Sequence, residues 1–135
     1  RDNPHDLVAY VACHVNAGGG SYGLALHDAR SRSGLSLAEA SSLSQEAFLD
    51  VMDNGAMACP MFKLKGPNMS KGAYPTAFPL KHQQKDMRLA LALGDKVEQA
   101  LPVAAAANEA LKRARAAGHA DADFSAVHAV VRKGP

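Results

Sequence analysis

Between Lys63 and Arg88, six basic side chains (Lys63, Lys65, Lys71, Lys81, Lys85 and Arg88) stand against a single acid, Asp86. Such a run is either a solvated face or a cleft for an anion. The second reading draws on Pro79, which suits a helix start. Unpaired N–H groups and the positive end of the dipole would add there to Lys81 and Lys85. His82, Gln83 and Gln84 lie in the same run. No nucleophile or acidic partner for His82 is visible in the sequence, and an exposed polar helix end accounts for it equally. Tyr74 and Phe78 are the nearest side chains for stacking, and the net charge is +2. Nucleic acid is therefore not an expected partner.

Upstream, Gly18, Gly20 and Gly23 satisfy G-x-G-x-x-G, with an apolar run from Leu7 to Val15 before them. Glu39 follows at about the 20-residue spacing of a dinucleotide fingerprint. That fold needs several parallel strands, and nothing after Gly23 has strand character. A flexible glycine turn explains the run as well. Met52, Met57, Met61 and Met69 form a loose cluster that reads as adaptable core filler. The six histidines show neither HxxxH nor HExxH spacing, so no metal site is expected. Cys13 and Cys59 form no CxxC pair. They favour an intracellular setting, cytoplasmic or organellar.

Helices must position these groups. The chain has 27 alanines and 14 leucines, but nine valines, one threonine and no isoleucine. Strands favour β-branched and aromatic side chains, which pack well on a pleated surface. Too few are present for a normal sheet, so the expected fold is all-α. A length of 135 residues fits one domain. The first 62 residues carry a net charge of −4 and the rest +6. No apolar run approaches the ~20 residues that span a bilayer, and no membrane partner is expected.

A short helical stretch is expected from Leu35 to Leu43. Ser44 then caps a helix that carries Phe48, Leu49 and Met52 on one face and stops at Asn54-Gly55. A second helix should run from Pro60 to Gly66-Pro67, with loop from Asn68 to Ala77. The third starts near Pro79 with a polar half and continues into a half that is apolar all round (Met87, Leu89, Leu91, Leu93). The pattern places the polar half in water or a cleft and the apolar half in the core. Pro102 opens the fourth, whose stripe is Val103, Ala107, Ala110, Leu111 and Ala114; Gly118 ends it. Asp121 is expected to cap a last helix packed through Phe124, Val127, Val130 and Val131. The expected buried set is Leu49, Met52, Leu89, Leu91, Leu93, Val103, Leu111 and Phe124.

GLSLAEASSLSQEAFLDVMDNGAMACPMFKLKGPNM (Gly34 to Met69), YPTAFPLKHQQKDMRLALALGD (Tyr74 to Asp95) and PVAAAANEALKRARAAGHADADFSAV (Pro102 to Val127) together resemble the β-hydroxyacid dehydrogenases of the 3-hydroxyisobutyrate dehydrogenase type. The FPLKHQQKDM run is the most specific part. The nearest likeness is to the branch that reduces glyoxylate and succinic semialdehyde in plants and algae. The resemblance covers Gly34 to Val131. It implies residues 34–135 as the C-terminal helical substrate and dimerisation domain of the 6-phosphogluconate/3-hydroxyisobutyrate dehydrogenase fold, without its Rossmann half. Residues 1–33 read as an atypical segment, either a damaged part of the long interdomain helix or an unrelated stretch.

The resemblance further implies hydride transfer from NADPH to a small aldehyde, and a homodimer formed through the helical domain. Phe78 and Asp86 match positions that shape or hold the active site, and Lys85 matches the lysine at the cofactor. The family's catalytic lysine sits in a K-x-x-x-N pattern ahead of these segments. This sequence has no lysine before Lys63; with Asn16 as the asparagine, Ala12 holds that position. No catalytic residue is therefore assigned, and the chain by itself is expected to be inactive. The alternative expectation is a non-catalytic helical dimerisation or scaffold module derived from the same family.

Overall fold

The computed structural model describes residues 35–55, 58 and 60–131. The glycine run Gly18–Gly23, Ala12, Cys13, Cys59, Met57 and the expected boundary at residues 33 and 34 lie outside them. The described residues are helical, with no strand; one antiparallel bridge joins Pro79 to Asp123.

A helical segment at 35–40 leads into a turn in which Ser42 takes φ 57°. Ser44 then caps helix α1 (Gln45–Asn54), its hydroxyl accepting from the Ala47 N–H at 3.2 Å. Glu46 in the first turn complements the dipole, and Gly55 closes the helix by donating to the Met52 carbonyl. Phe48, Leu49 and Met52 are half-buried. Gln45 ties the neighbours together: its amide donates to the Leu35 carbonyl, and its carbonyl accepts from Ser70 Oγ at 2.7 Å.

Helix α2 (Pro60–Lys71) runs through Pro67 rather than ending at Gly66-Pro67, and Asn68 to Lys71 are helix rather than loop. A proline removes one N–H and crowds a preceding carbonyl. Here the apolar stripe crosses the proline. Phe62, Lys65, Gly66 and Met69 are buried at helical spacing on both sides of it, and their burial carries the helix on. Gly66 lets α2 approach α1; a β-carbon there would lie 2.5 Å from a Leu49 methyl.

Helix α3 (Leu80–Lys96) and helix α4 (Pro102–Ala114) pack on each other and build the core. Leu80, Met87, Ala104, Ala107, Ala110, Leu111 and Ala114 meet Phe124, Ala126 and Val127 there. The alanine stripe of α4 keeps the helices close, and Pro102 stands in its first turn as expected. The expected burial along α3 holds only in part. Gln83, Gln84 and Asp86 of the polar half are buried, beside Leu80 and, as expected, Met87. Leu91 and Leu93 are half-buried, whereas Leu89 and Val103 of the expected core are 36% and 48% exposed. Gln84 is satisfied internally: it donates to Asn108 of α4 at 2.9 Å and accepts from the Arg115 guanidinium.

After α4, a π-helical turn (Arg115–His119) ends with Gly118 at φ 92°, where glycine is strongly favoured. A 3₁₀ turn (Phe124–Val127) and the short helix α5 (His128–Val131) finish the described chain. Asp123, not Asp121, is the cap, because its side chain accepts from the Ser125 N–H while Asp121 is exposed.

Gly94 is buried where α3 meets the α3–α4 connection. A β-carbon there would lie 2.9 Å from the Gln99 carbonyl oxygen and 2.7 Å from a Leu101 methyl. Backbone yields less readily than a side-chain tip. Gly94→Ala should therefore lower stability by about 1–3 kcal/mol despite alanine's better helix propensity. Urea unfolding followed by circular dichroism checks this, and a stabilised variant would contradict it.

Candidate active site

Segment 77–79 and the first two turns of α3 carry the residues singled out in the sequence. Phe78 sits just before the helix and is 39% exposed. Its ring lies 6.4 Å from that of Phe124, edge to face at 71°, and 6.1 Å from the His82 ring. On α3, His82 stands three and four positions before Lys85 and Asp86, so the three share a helical face. Lys85 Nζ lies 2.8 Å from Asp86 Oδ1, with the carboxylate buried and the lysine side chain about half exposed at 49%. Phe78, His82, Lys85 and Asp86 thus form one contiguous group: an aromatic wall, an imidazole, and a cation held by a buried acid.

The N–H groups that the anion-cleft alternative needs at the start of α3 are already bonded. Leu80 donates to the Ala122 carbonyl and Lys81 to that of Ala120, both at 2.9 Å, and His82 and Gln83 donate to the Pro79 carbonyl. The segment after α4 has filled the dipole end with its own carbonyls. The basic run is likewise largely paired: Lys63 with Asp53, Lys65 with Asp123, Lys81 with Asp121 and Lys85 with Asp86. Three of those acids lie outside the run, which is why it reads as unbalanced in sequence. The Lys81 ammonium beside Asp121, by hydrogen bond and by charge, holds that carboxyl below its ordinary range.

Lys65 and Asp123 form the pair that sequence reasoning missed. Lys65 is 5% exposed and Asp123 fully buried, with 2.8 Å between Nζ and Oδ2. Oδ2 also accepts the N–H groups of Ala77 and Phe78, each at 3.2 Å. Oδ1 accepts from the Ser125 N–H at 3.1 Å and hydroxyl at 2.7 Å. Burial pushes the carboxyl up, but hydrogen bonds from Lys65, Ser125 and the Phe78 backbone outweigh it and leave it below the ordinary value. Two signals were legible. Asp123-x-Ser125 before an apolar turn has the form of a side-chain cap, and Lys65 lies at helical spacing from Phe62 and Met69. Among the described residues no group of three or more His, Cys, Asp or Glu is placed to hold a metal ion, and no helix is long and apolar enough to cross a membrane.

Comparison with known proteins bears on this group. Glyoxylate/succinic semialdehyde reductase 1 of Arabidopsis thaliana is 64% identical over 99 residues, 73% of this chain and 34% of the relative. The chloroplastic reductase 2 of the same plant is 54% identical over 94 residues, 70% and 26% of the two chains. The human cytokine-like nuclear factor N-PAC is 45% identical over 95 residues, 70% and 17% of the two chains. The chain therefore spans about a third or less of the length of these relatives. The fold matches crystalline 3-hydroxyisobutyrate dehydrogenase from Salmonella typhimurium at a TM-score of 0.76 and 22% identity, over 84% of this chain and 42% of that one. The Mycobacterium tuberculosis enzyme aligns at 0.74 and 24%, over 86% and 44%. Residues 23–131 match the family model described as the NAD-binding domain of NADP-dependent 3-hydroxyisobutyrate dehydrogenase. On that match the chain belongs to the NAD(P)-binding 3-hydroxyisobutyrate dehydrogenase family, and its helices form the helical domain of that type.

Proposed function

We propose that these residues close the active site of an NADPH-dependent reductase that converts glyoxylate or succinic semialdehyde to the hydroxyacid. The observation that carries the reading is the gathering of Phe78, Lys85 and Asp86 at the start of α3 in a chain 64% identical to a plant reductase of that name. A bound nicotinamide cofactor supplies the hydride, and the side chains here bind, orient and exclude water. Lys85, half exposed beside its buried carboxylate, fits an anionic or carboxamide group of such a cofactor. Asp86 orients Lys85. Phe78 shields the reacting carbon from solvent. Joining these residues to the cofactor-binding part of a family member, with its K-x-x-x-N helix, should give NADPH oxidation that depends on either aldehyde. A joined protein that binds NADPH yet turns over neither aldehyde would refute the reading.

A second reading is a non-catalytic helical module for dimerisation or scaffolding, in an intracellular setting. It draws on the likeness to N-PAC, whose name is not that of a reductase, and on the lack of any lysine before Lys63. Either reading implies pairing through the helical domain. Leu89, Val97 and Val103 on and between α3 and α4 are 36%, 60% and 48% exposed, and Leu64 of α2 is 60% exposed. These exposed apolar side chains are the proposed contact face. The 135-residue chain should sediment with concentration-dependent mass and bind an apolar-surface dye. A dye-negative monomer at high concentration would contradict this.

A further inference from the structure

Asp123 divides its two carboxylate oxygens between two tasks. Oδ1 is seated in the 3₁₀ turn by the N–H and hydroxyl of Ser125. Oδ2 faces the other way and gathers Lys65 Nζ with the N–H groups of Ala77 and Phe78. Ala77 and Phe78 precede the first turn of α3, so no helical carbonyl is placed to accept from them. The Phe78 carbonyl in turn accepts from the Phe124 N–H at 3.0 Å. Phe78 is thus held by both of its backbone polar groups to residues 123 and 124. Lys65 Nζ stands 4.9 Å from the centre of the Phe124 ring, against whose face or edge the Phe78 ring packs.

We propose that Asp123, braced by Lys65, is a positioning residue that fixes Phe78 at the entrance to α3 and thereby sets one wall of the aldehyde pocket. The inference rests on the role given to Phe78 in the proposed function. An ion pair that served stability alone would be replaceable by apolar side chains of similar volume, often without loss of stability. Such side chains cannot accept the N–H groups of Ala77 and Phe78. This difference separates a positioning role from a purely stabilising one.

The test uses the 135-residue chain and nuclear magnetic resonance. It compares amide hydrogen exchange at Ala77 and Phe78 with that at Leu111 in the α4 core, and reads the Phe78–Phe124 ring contact. In the double variant Lys65→Met/Asp123→Leu, exchange at Ala77 and Phe78 should quicken at least about tenfold, the loss expected for hydrogen bonds to a charged acceptor. The ring contact should disappear while Leu111 exchange holds. Unchanged exchange at Ala77 and Phe78, or a parallel rise at Leu111, overturns the proposal. Should the double variant fail to fold, the unsubstituted chain decides. Its Ala77, Phe78 and Ser125 amides should share one protection factor, at least about tenfold above that of Thr76; unprotected amides at 77 and 78 overturn the proposal. Both measurements need no cofactor domain, so their outcome is separate from that of the reductase assay.

Discussion

Asp123→Ala should lower the stability of the folded chain by about 3–5 kcal/mol, the range found when one partner of a buried ion pair is removed. The carboxylate accepts from five donors, and its loss leaves the Lys65 ammonium 5% exposed with no counter-charge on Oδ2. Against a total of roughly 5–15 kcal/mol, that brings the fold close to its limit. Thermal unfolding should shift down on the order of 20 °C. The pH dependence follows from the depressed carboxyl. A group whose folded value lies below its unfolded value contributes stability above the unfolded value of 3.8 and loses it as pH falls through the folded one. Acid should therefore destabilise the natural chain below about pH 4 more steeply than the variant. Asp121→Ala removes a surface partner of Lys81 and should leave the transition unmoved within error. Equal effects of the two substitutions would show that burial at Asp123 does not set its weight.

The second large effect concerns catalysis. The 135-residue chain by itself should oxidise no NADPH with glyoxylate or succinic semialdehyde above a heat-killed control. A positioned general acid contributes ~10²–10⁴-fold, and the sequence has no lysine before Lys63 to serve as one in a K-x-x-x-N pattern. Holding cofactor and carbonyl in register accounts for about 7–11 kcal/mol more of such a barrier. In the proposed function the group around Phe78 contributes one wall and one cation, too little for either task. In the protein joined to a family cofactor-binding part, Lys85→Ala should lower kcat/KM by roughly 10- to 150-fold, the equivalent of one charged hydrogen bond. The loss should fall mainly on KM for NADPH. Turnover by the chain by itself, or an indifferent Lys85→Ala, would remove the catalytic reading.

Local chemistry was legible in sequence and long-range pairing was not. Ser44, Gly55, Pro102 and Gly118 stand at the helix ends where cap and backbone rules place them. The all-helical fold could likewise be read from composition, whereas Phe78, Lys85 and Asp86 came only from the family resemblance. What failed was the inference from polarity to burial along α3. Gln83, Gln84 and Asp86 read as a solvated start, yet they are buried, and Gln84 meets Asn108 and Arg115 from 24 and 31 residues away. Leu89 read as core because its neighbours are apolar, but no described element covers it fully. Lys65 was grouped with its neighbouring lysines for the same reason: the acid that defines it is 58 positions distant.

That distance has a consequence for how the chain is made. At about 5–20 residues per second, Asp123 is added roughly 3–12 seconds after Lys65. Throughout that interval α1 and α2 can form and lay Phe62 and Met69 against their neighbours, but the stripe they would bury includes an ammonium whose acceptor has not been made. Closure of that stripe over Lys65 is therefore expected only once Asp123 has been added. A message cut short just before Asp123 would yield a product that retains Phe78, Lys85 and Asp86 in full. It would meet the quality-control proteases as an open chain.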